Sequence, residues 1–119
     1  MVNPAGHYKL GIRRGDWLFV AGQTGEDDNG DLGDLTEQTQ QAIANISTIL
    51  AQHGASLSDV VRMTCFLTKI EDFSVFDAAY RRALGSATPV RTTVGTTGLP
   101  SAELVEIEAT AFVEGSDDA

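Results

Sequence analysis

Two polar residues in the C-terminal third of the chain stand where they could handle a small acid. Arg91 directly follows Pro89-Val90 and opens a β-branched run, so a strand start would present its guanidinium as a planar fork for a carboxylate. Glu106 lies in the run Leu104 to Val113, where Val105, Ile107, Ala109, Ala111 and Val113 alternate with Glu106, Glu108, Thr110 and Phe112. A carboxylate on a strand whose other face is strongly apolar is either solvated or aimed at a pocket or subunit interface. The plain alternative for Arg91 is a surface salt bridge. Patterning alone leaves both pairs of readings open.

Other chemistries fit the residues poorly. His7 and His53 are far apart in sequence and Cys65 sits within an alternating strand pattern, so no metal site is expected. Asp27, Asn29 and Gly30 imitate the middle of a calcium loop, but Gly25 and Thr36 fall at its first and last ligand positions and bring no carboxylate. No Gly-x-x-x-x-Gly-Lys run exists, and carboxylates that repel phosphate crowd Gly30 and Gly33. Cys65 has no His nearby in sequence, and its apolar neighbours would raise a thiol pKa, which marks it as a core residue.

The elements that must position Arg91 and Glu106 are readable from periodicity. Tyr8 to Ile12 and Asp16 to Ala21 read as two strands joined at Arg13-Arg14-Gly15, and the Gly/Asp/Asn-rich stretch from Gly22 to Asp34 reads as a loop. Leu35, Ala42, Ile43, Ile46, Ile49 and Leu50 form a helical stripe, with Asp34 and Glu37 at capping-box spacing and Gly54 as the stop. Val60 to Thr68 alternates as a strand, with Val61, Met63, Cys65 and Leu67 on one face. A second helix runs between Asp72, a candidate N-cap, and Gly85, with Phe73, Phe76, Tyr80 and Leu84 at helical spacing. Arg91 to Thr97 and Leu104 to Val113 complete a β-β-α-β-α-β-β order, in which both helices must share one face of a sheet to bury their stripes.

The 119 residues, 42% of them hydrophobic, suit a single domain, and a core this small makes oligomerisation plausible. The formal charge of −9 repels polyanions, so nucleic acid is not an expected partner. One cysteine rules out an intrachain disulfide and fits a reducing, cytoplasmic setting. No apolar run is long enough for a membrane span, and Met1-Val2-Asn3-Pro4 has no signal-peptide character, so no membrane association is expected.

Pro89-Val90-Arg91-Thr92-Thr93-Val94 resembles the Pro-x-Arg-Ser/Thr-x-Val motif of the RidA (YjgF, reactive intermediate deaminase) family. Gly22-Gln23, Asp59 to Thr64 with Phe66-Leu67, Asp72-Phe73, and Leu104 to Ala109 follow in the family's order, and the similarity spans residues 5 to 113. The resemblance implies a chorismate-mutase-like α+β fold in one domain over 1–119, with a mixed sheet, two helices on one face and an acidic tail at 114–119. It further implies a homotrimer with a barrel-like core, clefts between subunits, and no cofactor. The activity it implies is hydrolysis of small carboxylate-bearing enamines or imines, such as 2-aminoacrylate, to 2-oxo acids and ammonia. By this likeness Arg91 grips the carboxylate, Glu106 handles water and protons, Tyr8 lines the cleft, and Thr93 takes the place of a small residue, often Cys, whose backbone faces the ligand.

Several positions depart from the family pattern around that cleft. Gly6-His7-Tyr8-Lys9-Leu10 replaces Gly-Pro-Tyr-Ser-Gln, Ala21 replaces a common serine beside Gly22, Asp77 stands where many members carry Asn, and Gln23-Thr24-Gly25 replaces Gln-Ile-Pro. The substrate therefore need not be 2-aminoacrylate. The alternatives are a non-catalytic module binding a 2-oxo acid or related metabolite, and a ribonuclease or translation inhibitor, which the acidic balance disfavours.

Overall fold

The computed structural model describes residues 3–114, so Met1, Val2 and the acidic tail beyond Glu114 lie outside the described residues. The chain first forms a hairpin, β1 (Gly11–Arg14) and β2 (Trp17–Gln23). Gly15 adopts φ +61°, which lets Gly15-Asp16 alone turn the chain between the paired residues Arg14 and Trp17. Arg13 and Arg14, expected in the turn, therefore belong to the strand, and Tyr8, expected in the strand, lies in the bend before it.

The helix α1 (Leu35–Gln52) begins with the capping box expected at Asp34 and Glu37, whose side chains each accept a backbone N–H of the other at 2.9 Å. Such a cap is worth about 1 kcal/mol. Ala42, Ile43, Ile46, Ile49 and Leu50 are all buried on one face. At the far end Gly54 takes φ +75°, and Arg13 Nη1 donates to the His53 carbonyl at 2.8 Å, placing a cation on the negative end of the helix dipole.

A short 3-10 turn leads into β3 (Val60–Leu67), and a second leads into α2 (Phe73–Leu84). Asp72 occupies the N-cap position of α2, but its side chain makes no capping bond. The edge strand β4 (Val90–Gly95) and β5 (Val105–Phe112) close the domain; β4 starts one residue before the expected Arg91 and ends two before Thr97, and β5 is one residue shorter at each end than its alternating run. Among the described residues the sheet has five strands in the order β1-β2-β5-β3-β4. β3 and β4 are parallel, joined by the α2 crossover, and the other pairs are antiparallel, so this is a mixed α+β sheet with both helices on one face.

Two irregularities reset which side chains face the core. Between Val60 and Arg62 the β3–β5 register shifts, so Val60 is buried and Val61 is exposed; Val61 does not share the core face of Met63, Cys65 and Leu67. Between Val20 and Gln23 the β2–β5 register also shifts, which turns both Val20 and Gln23 inward across the intervening Ala21-Gly22. The helix-free face keeps large apolar groups in the open: Trp17, Phe19, Val90 and Val94 are 44%, 49%, 59% and 40% exposed. Among the described residues no helix is long and apolar enough to cross a membrane.

The loop after β2 is fastened to α1 by close approach and by Gln38. A Cβ on Gly25 would run into the Gln38 backbone, while Gln38 donates to the Gly33 carbonyl and accepts from Leu104 N–H, both at 2.8 Å. Gly25→Ala should therefore cost about 1–3 kcal/mol by forcing loop and helix apart. Urea denaturation reads this directly, and an unchanged midpoint would show that the contact is slack.

Candidate active site

Strand register decides where Arg91 points. It pairs with Met63, a core residue, and so faces the helices from the sheet's edge. Its guanidinium carbon lies 4.7 Å from the Tyr80 ring centre, 5.3 Å from Phe73 and 5.6 Å from Phe76, an aromatic cradle supplied by α2. Asp77, on the same helix, accepts from Arg91 Nη1 at 2.7 Å, with Arg91 and Asp77 side chains 23% and 29% exposed. Arg91 is thus held between the rings and ion-paired to Asp77, which is the salt-bridge environment its plain reading described. The exposed Arg81 comes within 3.7 Å of the other Asp77 oxygen.

Arg91, Asp77 and Tyr80 line a cavity of about 420 Å³, walled also by Ala87, Thr88 and Pro89. Thr93 lies on the Arg91 face beside Cys65, and its buried hydroxyl, like that of Tyr80, has no hydrogen-bond partner among the described residues. Burial pushes the Tyr80 hydroxyl up to about 12, with Cys65 adding to the rise and Arg91 opposing it. Burial likewise pushes the Cys65 thiol up to about 12 against the opposing charge of Arg91, as a core thiol requires.

Glu106 pairs with Phe66 and faces away from the helices. The bulge in β2 brings Gly22 against it so closely that a Cβ there would overlap the Glu106 carboxyl. Tyr8, Gly22, Glu26, Glu103 and Glu106 line a second cavity of about 460 Å³. Tyr8 is held by a 3.1 Å bond from Ala5 N–H to its hydroxyl. Glu103 accepts from Ser101 N–H at 2.7 Å, and Thr24 donates to Glu26. Burial drives the Glu103 carboxyl up, but the Glu103 and Ser101 backbone N–H groups and a hydrogen bond with Glu26 outweigh it and hold the group below its ordinary value. Glu106 is raised by burial first, and then by the like charges of Glu103, Glu108 and Glu26.

The sequence-predicted residues therefore fall in and around two separate cavities. Tyr8, Gly22 and Glu106 share one cavity, with Ala21 beside Gly22 in the bulge; Arg91 and Asp77 share the other, with Thr93 next to them. Among the described residues none lines both cavities, and a single chain does not bring Arg91 to Glu106. Glu26 and Glu103 were missed because the folding of distant loops assembles them. Tyr80 was read as part of the helix stripe, although Phe73, Asp77 and Tyr80 at offsets of four and three already placed an acid and two rings on one helical face. Among the described residues no group of three or more His, Cys, Asp or Glu side chains is disposed to hold a metal ion.

A helix-backed mixed sheet carrying an arginine half-site at its edge strand and a carboxylate half-site on its bare face defines a class of small α+β domains. The chain belongs to the RidA/YjgF family: residues 1–113 match the family model described as endoribonuclease L-PSP. A RutC family protein of Pyrococcus abyssi is 40% identical over 117 residues, covering 93% of this chain and 90% of the relative. A protein of Dermatophagoides farinae named 2-iminobutanoate/2-iminopropanoate deaminase is 30% identical over 114 residues, covering 93% and 89%. The crystal structure of RidA from an Antarctic Psychrobacter species superposes with a TM-score of 0.89 at 30% identity, covering 93% of this chain and 92% of that one.

The Glu106 environment has a measurable consequence. Its folded-state pKa lies above the ordinary 4.5, so its contribution to stability is fully present below that value and is lost as pH rises through the raised one. The stability of the wild type relative to Glu106→Gln should therefore fall as pH rises from about 4 and then level off. Urea titrations across that range test it, and a difference that stays flat would remove the crowding of carboxylates as the cause.

Proposed function

We propose that the chain is a cofactor-independent imine or enamine deaminase acting on small carboxylate-bearing substrates in the cytoplasm. The observation that carries this reading is the carboxyl of Glu106, raised by burial and by neighbouring acids over a glycine-lined cleft, in a domain that also holds a rigid arginine fork. A carboxyl whose proton affinity is raised above the ordinary carboxylate value can deliver a proton to an enamine carbon and, once ionised, can take one from an attacking water. Arg91 would bind the substrate carboxylate through charge-assisted hydrogen bonds and hold the unsaturated carbon in register. Protonation at carbon gives the imine, water adds to the C=N carbon, and collapse of the adduct expels ammonia and leaves a 2-oxo acid. The family relationship and the Dermatophagoides farinae relative named 2-iminobutanoate/2-iminopropanoate deaminase support the assignment.

Because Arg91 and Glu106 lie on opposite faces of one chain's sheet, this mechanism calls for an Arg91 edge from one subunit beside a Glu106 cleft from another. A homotrimer would supply that arrangement and would also cover Trp17, Phe19, Val90 and Val94, whose exposure a monomer leaves uncompensated. Ribonuclease activity, which the family description names, is not carried over: the −9 charge and the acid-lined Glu106 cavity both repel a phosphodiester backbone.

The decisive assay generates several 2-imino acids in situ and follows their decay to 2-oxo acids with and without protein. Glu106→Gln should lower the rate about 10²–10⁴-fold while leaving ligand affinity intact, whereas Glu108→Gln should affect stability more than rate. Arg91→Ala should abolish carboxylate binding, and Arg91→Lys, which lacks the planar fork, should bind weakly. Ligand binding without turnover would identify a metabolite-binding module instead. Sedimentation should show three subunits, and a strict monomer at micromolar concentration would contradict the shared cleft.

A further inference from the structure

The arginine half-site is electrically unlike a free cation. Asp77 Oδ1 is the only hydrogen-bond acceptor of the Arg91 guanidinium among the described residues, and at 2.7 Å it neutralises the group that would meet an incoming carboxylate. The remaining guanidinium N–H donors are uncommitted, and the aromatic cradle stops the fork from swinging away from Asp77. The other Asp77 oxygen has only the long 3.7 Å contact to Arg81, a side chain 82% exposed, so screening weakens what that cation contributes. Arg91 and Asp77 line the same cavity, which therefore offers a fixed plus and minus side by side.

We propose that Asp77 is a specificity residue that selects net-neutral, zwitterionic ligands, carrying a protonated nitrogen on the carbon next to the carboxylate, over 2-oxo acid anions. The inference rests on the carboxylate-binding role assigned to Arg91 under the proposed function and adds to it the sign of the neighbouring group. A protonated 2-imino acid sets its carboxylate against the open edge of Arg91 and its N–H⁺ against Asp77, so both charges meet their opposites. A 2-oxo acid sets the same carboxylate on Arg91 but turns carbonyl lone pairs towards Asp77 and leaves the site with one uncompensated negative charge. The pair thereby discriminates substrate from product, favouring entry of the imine and departure of the oxo acid. Since both side chains are about a quarter exposed, solvent screening holds the effect to the order of tenfold in relative affinity.

The test is a calorimetric or NMR titration with L-alanine, a stable zwitterion, and pyruvate, a 2-oxo acid, against the purified protein. Wild type should bind alanine more tightly than pyruvate, and Asp77→Asn, which keeps the shape and removes the charge, should shift the ratio towards pyruvate by about tenfold. Asp77→Ser provides a second neutral variant in case the first fails to fold, and Asp77→Glu should retain the wild-type order. Arg91→Ala should weaken both ligands together. A ratio unchanged in both neutral variants, with binding that still depends on Arg91, overturns the role of Asp77 alone. Binding of either ligand that is indifferent to Arg91→Ala overturns the carboxylate site itself, and this inference with it.

Discussion

Alternation of side chains across one sheet, reset at two bulges, governs the rest of this molecule. Once α1 and α2 cover one face, alternate residues of β4, β5 and the part of β3 beyond its bulge are committed to the core and their neighbours to the bare face. Arg91 shares its phase with Met63 and Ala109, and Glu106 shares its phase with Phe66 and Val94. One chain can therefore hold the two groups rigidly but cannot make them meet. The same alternation gathers Trp17, Phe19, Val90 and Val94 on the uncovered side. A bare apolar face and two separated cavities are thus two results of a single packing decision.

The two half-sites are tuned in opposite ways. Around Glu106 the neighbours are carboxylates, so burial and like charge both favour the protonated form. Around Arg91 the neighbours are aromatic rings and one opposite charge, which anchor the guanidinium and offset its field. Rigidity comes from the backbone in the first case, where Gly22 in the β2 bulge leaves room for the Glu106 carboxyl, and from side-chain stacking in the second. A site assembled from such parts would pair an acid of raised proton affinity with a preoriented but partly neutralised anion receptor. That combination suits a small zwitterion better than a polyanion.

Loop anchoring links the fold to the cleft. Gln38 holds both the Gly33 carbonyl and the Leu104 amide, so the segment carrying Glu103 enters β5 at a fixed height above α1. Glu103 then lies beside Glu106 and raises its proton affinity. The buried amide of one helical residue thereby helps set the electrostatics of a carboxyl on the other face of the sheet.

Periodicity in the sequence was enough to establish the element order, both helix stripes, the Asp34/Glu37 cap, the core phase of Cys65 and the strand positions of Arg91 and Glu106, because each depends on near neighbours along the chain. It misjudged Val61 and the first strand's start, since a bulge and a two-residue turn change phase without any change in local composition. What only the tertiary structure decided was contact between distant segments. It set Asp77 and three aromatic rings against Arg91, packed Gly22 beneath Glu106, and brought Glu26 and Glu103 to the same cavity. Strand order and helix crossover determine those meetings, and no local spacing encodes them. For the same reason the raised proton affinity of Glu106 became legible only after folding: it depends on burial and on charges that separate parts of the chain deliver.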